Sequence, residues 1–289
     1  MAIFLRITRH LLTMIATVLI GTLVTGMLVR LAPGFDADAQ QLDSRLGHES
    51  KQAIREQRMR NANIGHFCIA YLGAAAHGDF GESLTLNRPV RELIVERFPT
   101  TLRVAGLGLL GGWLLAAIFA FSAALLRRAA YDAVTVALSG ALLCVPSAVM
   151  ALLFVLFRAP AQFAIALIVF PRLFRYARNV LERSYAMPHI ITARAKGLGP
   201  VRVLCRHVVP VSAAPLLALA GVSVSVALGA AVPVEALCSV PGIGQLAWQA
   251  ALGRDLPLLV TLTILVTLVT LTANTISDLV IGSLPSSRA

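Results

Sequence analysis

Charge is scarce in this chain: of 289 residues 13% are Asp, Glu, Lys or Arg, and the acidic ones number 14. Soluble domains carry about a quarter charged residues, so this composition excludes an ordinary water-soluble globule, and 57% hydrophobic content marks a membrane protein. Cysteines are few as well, and Cys68, Cys144, Cys205 and Cys238 show no paired spacing, so no disulfide framework is expected. The sequence lacks a His-Glu-x-x-His run, a Gly-x-Ser-x-Gly elbow and any nucleophile with a nearby base, which leaves no covalent chemistry to assign. A Gly-x-x-x-x-Gly-Lys-Ser/Thr loop is also missing, so if the protein uses nucleotide energy another polypeptide must bind the nucleotide, and no cofactor is expected in this chain. The net charge of +11 comes without interleaved aromatics, which argues against nucleic acid.

What the chain does have is long apolar runs. Residues 11–29 carry no charge, follow Arg6, Arg9 and His10, and read as a retained first span rather than a cleaved leader, because 31–34 is not a small-residue cleavage site. Residues 104–126 form a second span, 133–157 a third, 208–234 a fifth and 256–277 a sixth, all without Lys or Arg. The fourth, 159–170, is only about 18 Å of helix and gains length by continuing to Arg178, with Arg172, Arg175 and Arg178 reaching the interface. Residues 172–206 hold eight Lys or Arg against Glu182 alone, so four spans between this segment and Arg6 and Arg9 put both on the cytoplasmic side. The expected architecture is therefore all-α and polytopic, with about six transmembrane helices and both termini cytoplasmic. Its division is 1–98, the first span plus an extracytoplasmic segment, and 99–289, a core of five spans.

Residues 32–99 hold nine acidic and eight basic residues, a balanced soluble composition. Alternating charges over 44–60 predict a solvated helix, Gly78-Asp79-Phe80-Gly81 a turn, and 91–98 a short amphipathic helix entering the membrane. His48, His66, Cys68 and His77 share this segment, but lone histidines in a polar loop are ordinarily surface residues, and no metal site is assigned.

The cytoplasmic segment 182–210 reads as a mechanical contact. A helix interrupted near Pro188 carries Ala193 and Gly197 four residues apart, a small-residue face for close approach of another backbone. Gly197-Leu198-Gly199-Pro200 ends it, a new helix bears Arg202 and Arg206, and Pro210 marks its entry into the fifth span. By residue physics alone, a basic loop held at anionic headgroups accounts for the same composition equally well.

The run Ala193-Arg194-Ala195-Lys196-Gly197-Leu198 resembles the coupling loop of binding-protein-dependent ABC importer permeases, in particular the dipeptide, oligopeptide and nickel branch. Ile191-Thr192-Ala193 stands where that family has Glu-Ala-Ala, Gly197 takes the Gly and Pro210 the Pro, so the acidic first residue is absent. Similar motifs run in order along the chain: Arg30-Leu31-Ala32-Pro33-Gly34, Gly78-Asp79-Phe80-Gly81-Glu82-Ser83, Arg88-Pro89-Val90, Pro99-Thr100-Thr101-Leu102 and Pro146-Ser147. Glu235, Ser239-Val240-Pro241-Gly242-Ile243-Gly244, Arg254-Asp255-Leu256-Pro257, Asn274 and Asp278 complete the series. The loop between spans three and four is shortened to 158–161, and the tail 284–288 departs from the family's usual Asp-Pro-Arg.

The resemblance implies a permease that pairs with a second homologous permease, rests on two ABC ATPase subunits holding ATP and Mg, and meets an extracytoplasmic solute-binding protein in a bacterial inner membrane. It implies ATPase coupling through Ile191, Thr192, Ala193, Arg194, Ala195, Lys196, Gly197, Leu198, Gly199, Arg206 and Pro210. Glu235, Pro241, Gly242, Gly244 and Asp255 are candidates for the pathway or outer gate, since irregular backbone near membrane depth is tolerated where it lines a cavity. Short peptides are the cargo that the branch favours, and nickel or a metal chelate is the alternative. Of other classes, an ion-coupled secondary transporter would show an inverted repeat and a membrane enzyme a catalytic constellation; neither is visible.

Overall fold

The computed structural model describes residues 12–28 apart from 14, 15 and 26, and residues 71–283 apart from 72 and 76. Arg6, Arg9, the 30–34 motif, the helix expected over 44–60, His48, His66, Cys68 and the 284–288 tail lie outside the described residues. Among the described residues helix is the repeating element, with one isolated β-bridge between Glu82 and Pro89.

Nine helices can be followed among the described residues. They are α1 (Ala16–Thr25), α2 (Val90–Leu126), α3 (Ala129–Cys144), α4 (Ser147–Leu156), α5 (Ala161–Tyr185), α6 (Pro188–Ala195), α7 (Pro200–Leu237), α8 (Ile243–Leu252) and α9 (Leu256–Ser283). Helices α2, α7 and α9 are each long and apolar enough to cross a membrane. The amphipathic helix expected over 91–98 is the first part of α2, which continues through Pro99 without a break.

The third span is not the single rod that its apolar run predicts. Helices α3 and α4 meet at 94°. Val145 is extended at φ −79° and ψ 119°, as the residue before a proline prefers, and Pro146 has no N–H to continue the ladder. The helix restarts when the Met150 N–H reaches the Pro146 carbonyl at 3.0 Å. The helix expected as the fourth span does continue past Arg178, and α5 ends only at Tyr185, so its 25 residues measure about 37 Å, but α5 is not among the helices apolar enough to cross a membrane by composition. Its buried side includes Ala164, Ile165, Val169, Leu173, Phe174 and Leu181, while Arg172 and Arg175 face outward.

The chain forms two compact units, one of residues 1–97 with 246–269, the other of 98–245 with 270–289. In the first, Tyr71, Leu256, Val260 and Ile264 form a small core. In the second, glycine lets α2 and α5 touch backbone to backbone. A Cβ on Gly108 would lie 2.7 Å from the Ile165 Cβ and 2.9 Å from the Gln162 carbonyl, so no larger residue fits there. Further along the same two helices, Phe119, Phe170 and Phe174 pack with ring centroids 5.4 to 6.3 Å apart. Polar groups in this apolar bundle find partners across helices: the Trp113 Nε1–H donates to Ser223 at 3.1 Å, and the Ser184 and Ser212 hydroxyls bond at 2.9 Å.

Candidate functional site

The segment expected to contact a motor is a separate, well-formed helix. Pro188 opens α6, where its missing N–H is harmless, and Thr192 returns its hydroxyl to the Pro188 carbonyl at 3.0 Å. Ile190 and Ala193, three residues apart, are buried at 0% and 6% exposure. Ile190 joins the same apolar cluster as Leu181 of α5 and Val203, Leu204 and Val208 of α7. The helix is thus keyed into the bundle on one side, and Ile191, Thr192, Arg194, Ala195 and Lys196 are exposed on the other. This alters the expected docking face: Ala193 is turned inward as part of the seat, and Ala195 and Ile191 supply the outer face instead.

The exit from α6 uses glycine where glycine is needed. Gly197 has φ +78°, the left-handed region, and its N–H closes on the Arg194 carbonyl at 2.9 Å. Leu198 packs back against the core, and Gly199 and Pro200 start α7. Residues Leu204–Val208 then form a π-helical turn, in which the Val209 N–H reaches the Leu204 carbonyl five residues back. That extra residue lies just before Pro210, whose ring cannot take the next ladder bond, so the expected tilt near Pro210 is realised as a π-turn. Arg206 and Pro210 are both exposed.

The pathway candidates have a different character from the one expected. Helix α7 ends with Ser239 in the left-handed region at φ +54°, and the Val240 N–H returns to the Glu235 carbonyl at 2.9 Å. This reversal points the fully buried Glu235 side chain at the start of α8. Its Oε2 accepts the Gly244 N–H at 2.7 Å, and the Thr101 hydroxyl and the Gln245 N–H also bond the carboxyl group. Thr101 in turn accepts the Ile243 N–H at 2.7 Å. Gly242 passes so close that a Cβ there would be 2.2 Å from Glu235 Oε2, and one on Gly244 would be 2.7 Å from the Ala231 carbonyl oxygen. Glu235, Gly242 and Gly244 are therefore brought together as a helix anchor, whereas Pro241 is exposed.

Asp255 is held by other partners. It is fully buried immediately before α9, where Oδ1 accepts the Leu258 N–H at 3.2 Å as an N-cap. Oδ2 accepts the Ser83 hydroxyl, the Thr85 N–H at 3.0 Å and the Thr85 hydroxyl at 3.1 Å. A few residues away, the Tyr71 hydroxyl lies 3.0 Å from the Phe80 carbonyl and 2.9 Å from that of Pro257, beside Thr261. Burial pushes the Tyr71 phenol up to about 12. The 78–83 and 254–257 motifs are thus parts of one polar knot. Sequence reasoning missed it, although Asp-Leu-Pro ahead of an apolar run is a helix-start signal.

Also unforeseen is a fork between α3 and α5, where Arg178 donates Nε and Nη2 to the two carboxylate oxygens of Asp132 and lies 3.1 Å from Glu182. Asn274 lies close against Gly221, and Asp278 is exposed. Among the described residues no group of three His, Cys, Asp or Glu side chains comes together.

Among the described residues, three long apolar helices, a broken apolar pair and a small polar helix packed on one face are the elements of a multi-pass membrane protein. Residues 108–287, well over half of the chain, match the family described as "Binding-protein-dependent transport system inner membrane component", and the chain belongs to that family. It is similar to the oligopeptide transport system permease protein OppB of Escherichia coli K12, 28% identical over 90% of this chain and 91% of that one. A putative peptide transport system permease protein of Brucella abortus is 27% identical over 84% and 85% of the two chains. Among solved structures, a chain of the inward-facing MetNI methionine ABC transporter superposes with a TM-score of 0.60 at 16% identity, covering 66% of this chain and 96% of that one. At that identity the likeness establishes the fold alone. The protein is thus an ABC importer permease, a transport component of the inner membrane.

Proposed function

We propose that this permease carries short peptides, pairs with a second homologous permease, and is driven by two ABC ATPase subunits that bind ATP and Mg and press on α6. In this reading 182–210 and both termini are cytoplasmic, and an extracytoplasmic solute-binding protein delivers cargo to the opposite face. The first 98 residues act as an accessory segment, and 99–289 form the translocating core. The peptide assignment rests on the names of the similar permeases; nickel or a metal chelate is the alternative, and cargo binding by the solute-binding protein decides between them.

The observation that carries the coupling role is the one-sided burial of α6. Ile190 is fully buried while Ile191 is 53% exposed, so a push on the outer face has a packed inner face to transmit it. Because Ile190 lies among side chains of α5 and α7, displacement of α6 moves both spans, and the left-handed Gly197 fixes the angle at which α6 meets α7. A rigid element with two packed positions is what a nucleotide-driven switch requires. In one unit Glu235, Gly242 and Gly244 then bear on the pathway by fixing where α8 begins, with Pro241 exposed in the turn, and in the other Asp255 does so by fixing where α9 begins.

The test is ATP turnover and uptake by the reconstituted complex. A β-branched residue is strained at the φ of Gly197, so Gly197→Val is expected to leave the bundle folded and the ATPase active while uptake per ATP falls at least tenfold. Unchanged coupling with a folded Gly197→Val protein refutes the role.

A further inference from the structure

Between the end of α2, the start of α3 and the last turns of α5 lies a cavity of about 270 Å³, and the coupling mechanism makes no use of it. Its inner wall is apolar, formed by Ala120, Ala123, Ala124 and Leu181, and its rim carries Arg127, Arg128, Asp132, Arg178, Glu182 and Tyr185. The rim charges are not equivalent. Arg178 is engaged by both oxygens of Asp132 and by Glu182, a closed set that braces α3 against α5. Arg127 and Arg128 form no ion pair among the described residues, and the Arg127 guanidinium lies 5.2 Å above the Tyr185 ring. Summed over the rim, three cations face two carboxylates, so the mouth has a net charge of +1: the unpaired Arg127 and Arg128 carry both positive charges in excess, and the Arg178, Asp132 and Glu182 set is one charge negative.

The position of Arg127 adds a second observation. It follows the last residue of α2 at φ +49°, where the αL turn favours glycine, and its N–H closes on Ala123 at 3.1 Å. Arg158 and Arg254 share that conformation at other helix ends, so the conformation alone marks only a helix end. Arg127 is marked instead by the Tyr185 ring beneath it and the apolar cavity beside it. A guanidinium held over an aromatic ring makes no ion pair there, so its N–H donors can serve the oxygens of a phosphate.

We propose that this cavity binds a phosphate anion through Arg127 and Arg128, and that the phosphate belongs to an anionic phospholipid whose glycerol and upper acyl carbons lie on the alanine wall. A headgroup anchored here would join the end of α2 to α5 on the helix that leads directly into α6. The position requires only that this end of the bundle meet an interface, so it does not rest on the coupling assignment.

The full chain in neutral detergent is titrated with phosphatidylglycerol and with phosphatidylcholine, and bound lipid is counted by native mass spectrometry. Phosphatidylglycerol is expected to bind at least tenfold more tightly, with the preference abolished in R127Q/R128Q and weakened several-fold in Tyr185→Leu, which leaves every charge in place. Competition by inorganic phosphate at millimolar concentration, lost in the same variants, would keep the phosphate site and reassign its source to a soluble ligand. Equal binding of the two lipids with no effect of phosphate overturns the proposal, as does a preference that survives R127Q/R128Q. Should that double variant not fold, Arg128→Gln alone, which removes an exposed side chain, is expected to halve the preference or more, and no change there also overturns it.

Discussion

Removal of the Asp255 carboxylate probes whether the two motifs that meet there form one structural unit. Asp255→Ala takes the N-cap from α9, a loss of about 1 kcal/mol in typical helices. It also strands the donors gathered on Oδ2. Ser83 is only 1% exposed, so its freed hydroxyl cannot be rehydrated and contributes about 1–3 kcal/mol, whereas Thr85 is exposed and water replaces its two bonds at little cost. The sum is a destabilisation of about 2–4 kcal/mol. Asp255→Asn keeps the carbonyl that caps α9 but turns an amide toward the Ser83 and Thr85 donors, and should fall between wild type and alanine. Thr85→Ala should lie within about 1 kcal/mol of wild type. The assay is unfolding of the purified protein in mixed micelles, followed by far-UV circular dichroism, with limited proteolysis across 78–86 as the local readout. An Asp255→Ala protein within 1 kcal/mol of wild type and no more cleavable at 78–86 would refute the reasoning.

Other expectations rest on separate contacts. Gly108→Leu forces α2 away from the Ile165 and Gln162 surface and should lower stability by about 1–3 kcal/mol or more, while Gly106→Ala, with nothing within 4 Å, should not; equal thermal midpoints for the two would contradict the close approach. The Tyr71 phenol sets an alkaline limit: the unfolded chain ionises near 10.0 and the folded one near 12, so stability is full below pH 10 and falls by roughly 3 kcal/mol as pH rises to 12. Tyr71→Phe should flatten that slope in a pH series of unfolding curves, and an unchanged slope would show that another group titrates.

Composition and apolar run length made the helical bundle legible, because about 20 uncharged residues have few fates other than crossing a bilayer. The bend at Pro146 was also written locally, in a proline preceded by Val145, but a reading that scores only hydrophobicity passes over it. Other features could not be read from local pattern. The Ser83 to Asp255 bond joins residues 172 positions apart, and no periodicity announces it. The orientation of α6 is a similar case: spacing makes Ala193 and Gly197 neighbours on one face, but only packing against α5 and α7 shows that Ala193 faces inward. The motif order along the chain did indicate that 78–83 and 254–257 matter, without indicating that they matter to each other.

Acidic residues near membrane depth invite a role in conduction, and the two candidates show what such a role must first satisfy. A carboxylate removed from water persists only where donors and helix dipoles replace its hydration. Asp255 meets that condition with four donors distributed over both oxygens, which leaves no oxygen in want of a partner for a passing solute. Glu235 meets it less fully: Oε2 takes the Gly244 N–H at the start of α8, but Oε1 is buried without a hydrogen-bond partner. Gly242 and Thr101 crowd the group so closely that cargo has no room to reach it. The Gly244 bond and the crowding by Gly242 and Thr101 hold Glu235 in place as a strut at the start of α8, despite the unengaged oxygen.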